Sequence, residues 1–186
     1  PRPARHPQPR TDPKAPATYR QIRPKPRPTM HAHRRPAGHA MADVLDLVLA
    51  GEPVRLLADR ALYWPARGRL CIADLHLGKG DTFRAAGIAV PSGGTAHDLE
   101  RLAMLLANTG AAELWILGDF LHARRHHAVD AAWRAFRDAH AHVAMAVVPG
   151  NHDRAFDAEA AGVARVREGH VDLPFEFRHA PPDASA

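Results

Sequence analysis

The sequence predicts an α/β fold whose sheet carries polar residues along one edge. Three apolar runs support this: Leu70-Cys71-Ile72-Ala73, Leu114-Trp115-Ile116-Leu117 and Val143-Ala144-Met145-Ala146-Val147-Val148-Pro149. Each reads as a buried strand, and each opens directly into polar residues: Asp74-Leu75-His76, Gly118-Asp119 and Gly150-Asn151-His152-Asp153. Segments with the three-and-four spacing of helices separate the runs. Right-handed crossovers then bring the loops after Ala73, Leu117 and Pro149 to the same edge.

Pro53 to Ala58, Ala61 to Trp64 and Arg69 to Ala73 read as strands, with Pro65-Ala66-Arg67-Gly68 as the turn between the last two. Thr95 to Asn108 reads as a helix. Thr95 is its cap with Asp98 three residues on, Leu99, Leu102 and Leu106 form its apolar stripe, and Gly110 follows its end. A second helix is expected from His126 to His140, burying Val129, Ala132, Trp133 and Phe136. Asp153 could cap a further helical segment from Arg154 to Ala161.

Composition changes near residue 40. The first 40 residues hold 10 of the 17 prolines and ten Lys and Arg against Asp12 alone, a balance of +9; with +5 overall, residues 41–186 carry −4. A Pro/Arg-rich stretch without apolar periodicity cannot bury enough surface to offset its ordering entropy, so 1–40 is expected to be a disordered tail. It is either a nucleic-acid-contacting arm or an upstream extension ahead of Met41. Residues 41–186 suit one domain. Cys71, the single cysteine, excludes an intramolecular disulfide framework and is expected in the core. No run of about 18 apolar residues is present, which argues against a membrane span. The start of the chain does not read as a secretory signal, and a cytoplasmic location is expected by default.

Strand ends in open α/β sheets are where ligands bind. In an extended chain, Asp74 and His76, two apart, project to the same side and can reach one ion. Asp119 can bridge two cations through its two oxygens, Asn151 offers a neutral carbonyl oxygen, and His152 an imidazole that need not be a ligand. Oxygen and nitrogen donors without thiolate suit Mn, Fe, Zn or Mg better than a structural zinc site.

The order D-x-H, G-D, G-N-H-D resembles the calcineurin-like metallophosphoesterase superfamily. The longer stretches Tyr63-Trp64-Pro65, Ala73-Asp74-Leu75-His76-Leu77-Gly78-Lys79, Phe83-Arg84-Ala85-Ala86-Gly87 and Leu117-Gly118-Asp119-Phe120-Leu121-His122-Ala123 are most similar to its bacterial ligase-associated DNA damage response endonuclease branch. The resemblance spans about Leu56 to His179. It implies a metallophosphoesterase-type β-sandwich flanked by helices and two divalent metal ions, with Mn foremost. Asp74 and His76 would hold one ion, Asp119 would bridge, and Asn151 with His179 would hold the second. His152 would stand beside the scissile phosphate and protonate the leaving group, its ring oriented by Asp153. Arg84, His122 and Arg124, which follow the first and second motifs, are the candidate substrate contacts, set against a solvated or loop role for each; Lys79 and Arg125 to His127 read more readily as solvated charges. The remaining histidines, among them His140, His142 and His170, are expected at the surface.

The superfamily's last signature, G-H-x-H, does not occur after His179. This leads to the expectation that the C-terminal part of the fold is missing from this chain, with activity weakened accordingly. The resemblance implies hydrolysis of phosphodiester bonds in DNA during repair, in association with a ligase and helicase system. Two alternatives are a phosphatase or pyrophosphatase acting on a small nucleotide or lipid-linked substrate, and an inactive remnant.

Overall fold

The apolar runs become strands, and the order of the chain between them builds one sheet. The computed structural model describes residues 44–91, 93–121, 127–153 and 156–181; the segment 1–40 lies outside them. The strands are β1 (Val44–Leu49), β2 (Glu52–Leu57), β3 (Ala61–Trp64), β4 (Arg69–Ala73), β5 (Glu113–Leu117), β6 (Ala144–Val148), β7 (Ala164–Arg165), β8 (His170–Asp172) and β9 (Phe175–Phe177). The helices are α1 (Lys79–Ala85), α2 (Gly94–Thr109) and α3 (His127–Ala139). A seven-stranded sheet runs in the order β1 to β7, and β8 and β9 form a separate antiparallel ribbon. β1 to β4 are joined by tight antiparallel hairpins. From β4 to β7 the sheet is parallel, with helical crossovers between β4 and β5 and between β5 and β6.

The two faces of the central strands bury different chemistry. Leu70 and Ile72 of β4, Leu114 and Ile116 of β5, and Met145 and Val147 of β6 alternate onto one face. There they meet Leu99, Leu102, Leu105 and Leu106 of α2 and Val129, Trp133 and Phe136 of α3. Complete burial of such a side chain stabilises by about 1.5–3 kcal/mol, so this layer is the main source of stability.

The opposite face carries Trp64, Arg69 and Trp115, against which the β8–β9 ribbon docks. The Arg69 guanidinium lies 4.0 Å from the Trp115 ring centre, and pairs with Glu113 at 2.7 Å and Asp172 at 3.0 Å. Phe175 packs edge-on against Trp64 at 4.8 Å, and Phe177 lies 4.9 Å from Trp115. His170 is half-buried beside Trp115, not on the surface as expected, and burial and the nearby Arg69 charge hold its pKa below the usual imidazole value. Next to the ribbon, an apolar groove of about 510 Å³ is lined by Leu49, Leu56, Leu62, Cys71, Leu117 and Phe177. Cys71 is buried as expected, and burial pushes its thiol up to about 12.

Local readings held for β3, β4 and the body of α2, which Gly110 closes by donating its N–H to Leu106. Three did not. Thr95 does not cap α2: Gly93 occupies that position, and the Thr95 hydroxyl accepts the Gly78 N–H at 3.2 Å, tying the helix to the loop after β4. Residues 158–162 form turns where a helix was expected, residues 154–155 lying outside the description. β1 was not anticipated. Among the described residues no helix is long and apolar enough to cross a membrane.

Candidate active site

Beyond the last rungs of β4, β5 and β6 the backbone remains paired. His76 N–H donates to Asp119 O at 2.7 Å, Leu77 N–H to Phe120 O at 3.0 Å, and Gly118 N–H to Val148 O at 2.7 Å. The first two motif loops are thus continuations of the parallel ladder, laced side by side, and the second is tied to the end of β6. Within them Asp74, His76 and Asp119 adopt left-handed backbone, with φ of 49°, 48° and 43°. The extended geometry expected for Asp74 and His76 is therefore replaced by two successive reversals around the buried Leu75. A left-handed non-glycine residue costs on the order of 1 kcal/mol, and such strain gathers where function sets the backbone.

Asp119 is the centre of the cluster, its side chain only 8% exposed against 56% for Asp74. Its two oxygens face different neighbours. Oδ2 lies 3.7 Å from His76 Nε2 and 4.0 Å from His152 Nε2. Oδ1 accepts the His152 backbone N–H at 3.0 Å and lies 3.9 Å from His179 Nε2. His179, arriving two residues after β9, places Nδ1 3.6 Å from Asp74 Oδ1 and Nε2 3.0 Å from Asn151 Oδ1. The His76 and His152 rings meet edge-on with centres 5.5 Å apart.

Two glycines give this gathering its room. A Cβ on Gly118, which sits at φ 80°, would collide with the His179 imidazole, and one on Gly150 would collide with Asp119. Side chains at both positions are excluded by the approach of potential ligands.

Asp153 plays a different part from the one expected. Its carboxylate, 1% exposed, accepts the backbone N–H groups of Phe120 and Leu121 at 3.1 Å each and of Gly150 at 2.9 Å. These bonds take both oxygens to backbone, so Asp153 fastens the second motif loop to the third instead of orienting the His152 ring. Arg84 likewise has local partners: it pairs with Asp81 and donates to Pro91 O at 2.7 Å. His122 and Arg124 lie outside the described residues.

Sequence reasoning missed Glu168, whose carboxylate accepts the backbone N–H groups of His179 and Ala180. It also missed the docking of the ribbon by Arg69. Neither has a local motif, since Glu168 reaches across 11 residues and Arg69 across the sheet.

Carboxylates, imidazoles and an amide oxygen converging on one strand edge define a metal-dependent hydrolase site, and potential ligand atoms of Asp74, Asp119 and His179 all lie within 4.8 Å of one another. Residues 69–181, from the start of β4 to beyond His179, match the calcineurin-like phosphoesterase family, and the chain belongs to it. The family works with divalent metal ions, and these residues fit such ions: hard oxygen donors and imidazoles surround a buried carboxylate above two glycines that leave space for them. Among solved structures the chain is similar to the Pseudomonas putida nuclease MPE, with 38% identity and a TM-score of 0.67 over 75% of this chain and 68% of that one. No curated protein matches the chain.

Proposed function

We propose that the chain is a dinuclear metal-dependent endonuclease that hydrolyses phosphodiester bonds in DNA. The observation that carries this reading is the buried Asp119 carboxylate at the centre of the cluster, one oxygen toward His76 and the other toward His179, an arrangement that suits a bridging carboxylate. Asp74 and His76 would hold one ion and Asn151 and His179 the other, with Asp74 Oδ1 lying 3.6 Å from His179 Nδ1 and so close to both. Mn is the ion proposed, from a donor set that also admits Fe, Zn or Mg. Two divalent ions in such a site lower the pKa of water and neutralise phosphate oxygens.

The chain supplies orientation and a proton. His152, with its side chain 43% exposed, stands on the open side of the cluster. Its backbone N–H is bound by Asp119 Oδ1, and its imidazole is the group proposed to protonate a departing oxygen. Arg84, His122 and Arg124 are proposed to contact the substrate backbone, Arg84 giving up its bond to Asp81 to do so. A nucleic acid substrate is supported by the likeness to a nuclease at 38% identity, and DNA is proposed from the motif stretches around Asp74 and Asp119. A place in cytoplasmic DNA repair beside a ligase and helicase accords with the motif stretches around Asp74 and Asp119. The catalytic domain is taken as residues 41–186, and 1–40 as an appended tail.

The test is Mn-dependent cleavage of single-stranded and plasmid DNA, with bis-p-nitrophenyl phosphate as a small diester. Asp119→Asn should lose both ions, and Asn151→Ala fewer. His152→Ala should keep its ions while turnover falls about 10²–10⁴-fold. Cleavage confined to monoesters or small nucleotides would replace the nuclease reading with a phosphatase. Failure to bind Mn would leave a non-catalytic module.

A further inference from the structure

We propose that Glu168 is a positioning residue for His179, holding its imidazole over Gly118 so that it can serve the metal site. The proposal rests on the reading of His179 as a ligand. His179 lies beyond the last residue of β9, Phe177, so the pairing of the ribbon does not fix it. What does hold its backbone is one carboxylate: Glu168 accepts the His179 N–H at 3.1 and 3.2 Å through its two oxygens, and the Ala180 N–H at 3.2 Å.

Glu168 is itself well anchored. It lies between β7 and β8, and the next residue, Gly169, donates its N–H to Phe177 O at 3.1 Å, closing the base of the ribbon. Arg178, the cation adjacent to His179 in the chain, pairs with Glu176 through Nε at 2.7 Å and Nη2 at 2.5 Å. The Glu168 carboxylate is left to the two amides, and bonds from N–H groups to an ionised acceptor are stronger than neutral ones.

The geometry leaves the ring little latitude. Its underside rests so close to Gly118 that a Cβ there would overlap it. At that height Nδ1 lies 3.6 Å from Asp74 Oδ1 and Nε2 3.0 Å from Asn151 Oδ1. A backbone free to lift at 179 would carry both nitrogens away together. Partners that orient a ligating histidine typically affect metal affinity by about 10–100-fold when removed.

The experiment titrates Mn alone into the full chain by calorimetry, with amide hydrogen exchange and thermal melting on the same metal-free samples. Glu168→Ala should weaken the site served by His179 by roughly 10-fold, at the low end of that range because Glu168 is exposed. It should speed exchange at His179 and Ala180 and leave the melting temperature nearly unchanged. Glu168→Gln, which keeps one acceptor oxygen, should recover part of the affinity. His179→Ala should lose more than either. Unchanged exchange at 179 and 180 in Glu168→Ala, or unchanged Mn affinity there while His179→Ala loses affinity, would overturn the positioning role alone. Equal weakening of both Mn sites with a large fall in melting temperature would also overturn it, as plain destabilisation. Full Mn affinity in His179→Ala would remove His179 from the ligand set and the proposal with it.

Discussion

The site is assembled from two regions held in unlike ways. Asp74, His76 and Asp119 stand on loops that extend the parallel ladder of β4 and β5, laced by backbone hydrogen bonds of 2.7–3.0 Å, and Asn151 stands on a loop fastened to them by Asp153. His179 arrives on a short ribbon that rests on the sheet chiefly through the side chains of Arg69, Asp172, Trp64, Trp115 and Phe177. A backbone ladder depends little on residue identity, whereas a docked ribbon depends on each of a few contacts. Damage to the first region should therefore act through buried backbone groups, and damage to the second should detach one ligand and spare the rest.

The largest stability effect should come from Asp153→Ala in the laced region. It strips the acceptor from three backbone N–H groups, and each such loss costs about 1–3 kcal/mol. Because the loops can partly relax, a total of roughly 3–5 kcal/mol is expected from urea unfolding. A loss below about 1 kcal/mol would mean that the ladder alone fastens the loops.

Arg69→Met should be next, at roughly 2–3 kcal/mol, since it leaves Glu113 and Asp172 facing apolar surface while both still reach some solvent. Here the comparison sharpens. Mn affinity should fall on the His179 side only, and exchange protection in β4 to β6 should persist. Loss of protection throughout the sheet would show that the two regions unfold together.

The smallest effect concerns pH. The folded pKa of His170 lies below the ordinary 6.5, so the unfolded chain takes up its proton first as pH falls. Stability should drop once pH passes below about 6.5 and level off beneath the folded value, after both states are protonated. His170→Gln should flatten that part of the profile. An unchanged slope in thermal melts from pH 7.5 to 5 would assign it to other groups.

What the sequence revealed follows the same division. The strand runs from Arg69, Glu113 and Ala144, the helix that Gly110 closes, and the edge where Asp74, His76, Asp119 and Asn151 gather were legible, because periodicity and strand-end position are local signals. His179 could be singled out only by resemblance, and Glu168 by nothing. β7, β8 and β9 have two or three residues each, too few to show a period. β1 was missed because Leu45, Val48 and Leu49 stay exposed around Asp46, so its pattern does not mark one buried face. Asp153 was assigned to the wrong partner because its bonds to Phe120 and Leu121 span more than 30 residues and leave no trace in spacing. Thr95 matched a capping pattern whose local partner gave way to Gly78, 17 residues earlier.

The left-handed backbone at Asp74, His76 and Asp119 restricts which replacements these positions can accept. A β-branched residue there would strain the chain before its chemistry mattered, whereas Asn and Gly enter that conformation readily. Two kinds of loss should therefore separate in a library of variants. Asp119→Gly and Asp119→Asn should yield well-folded, inert protein, and Asp119→Val protein that is scarce in the soluble fraction. Abundance and catalysis would be read out independently at the same codon.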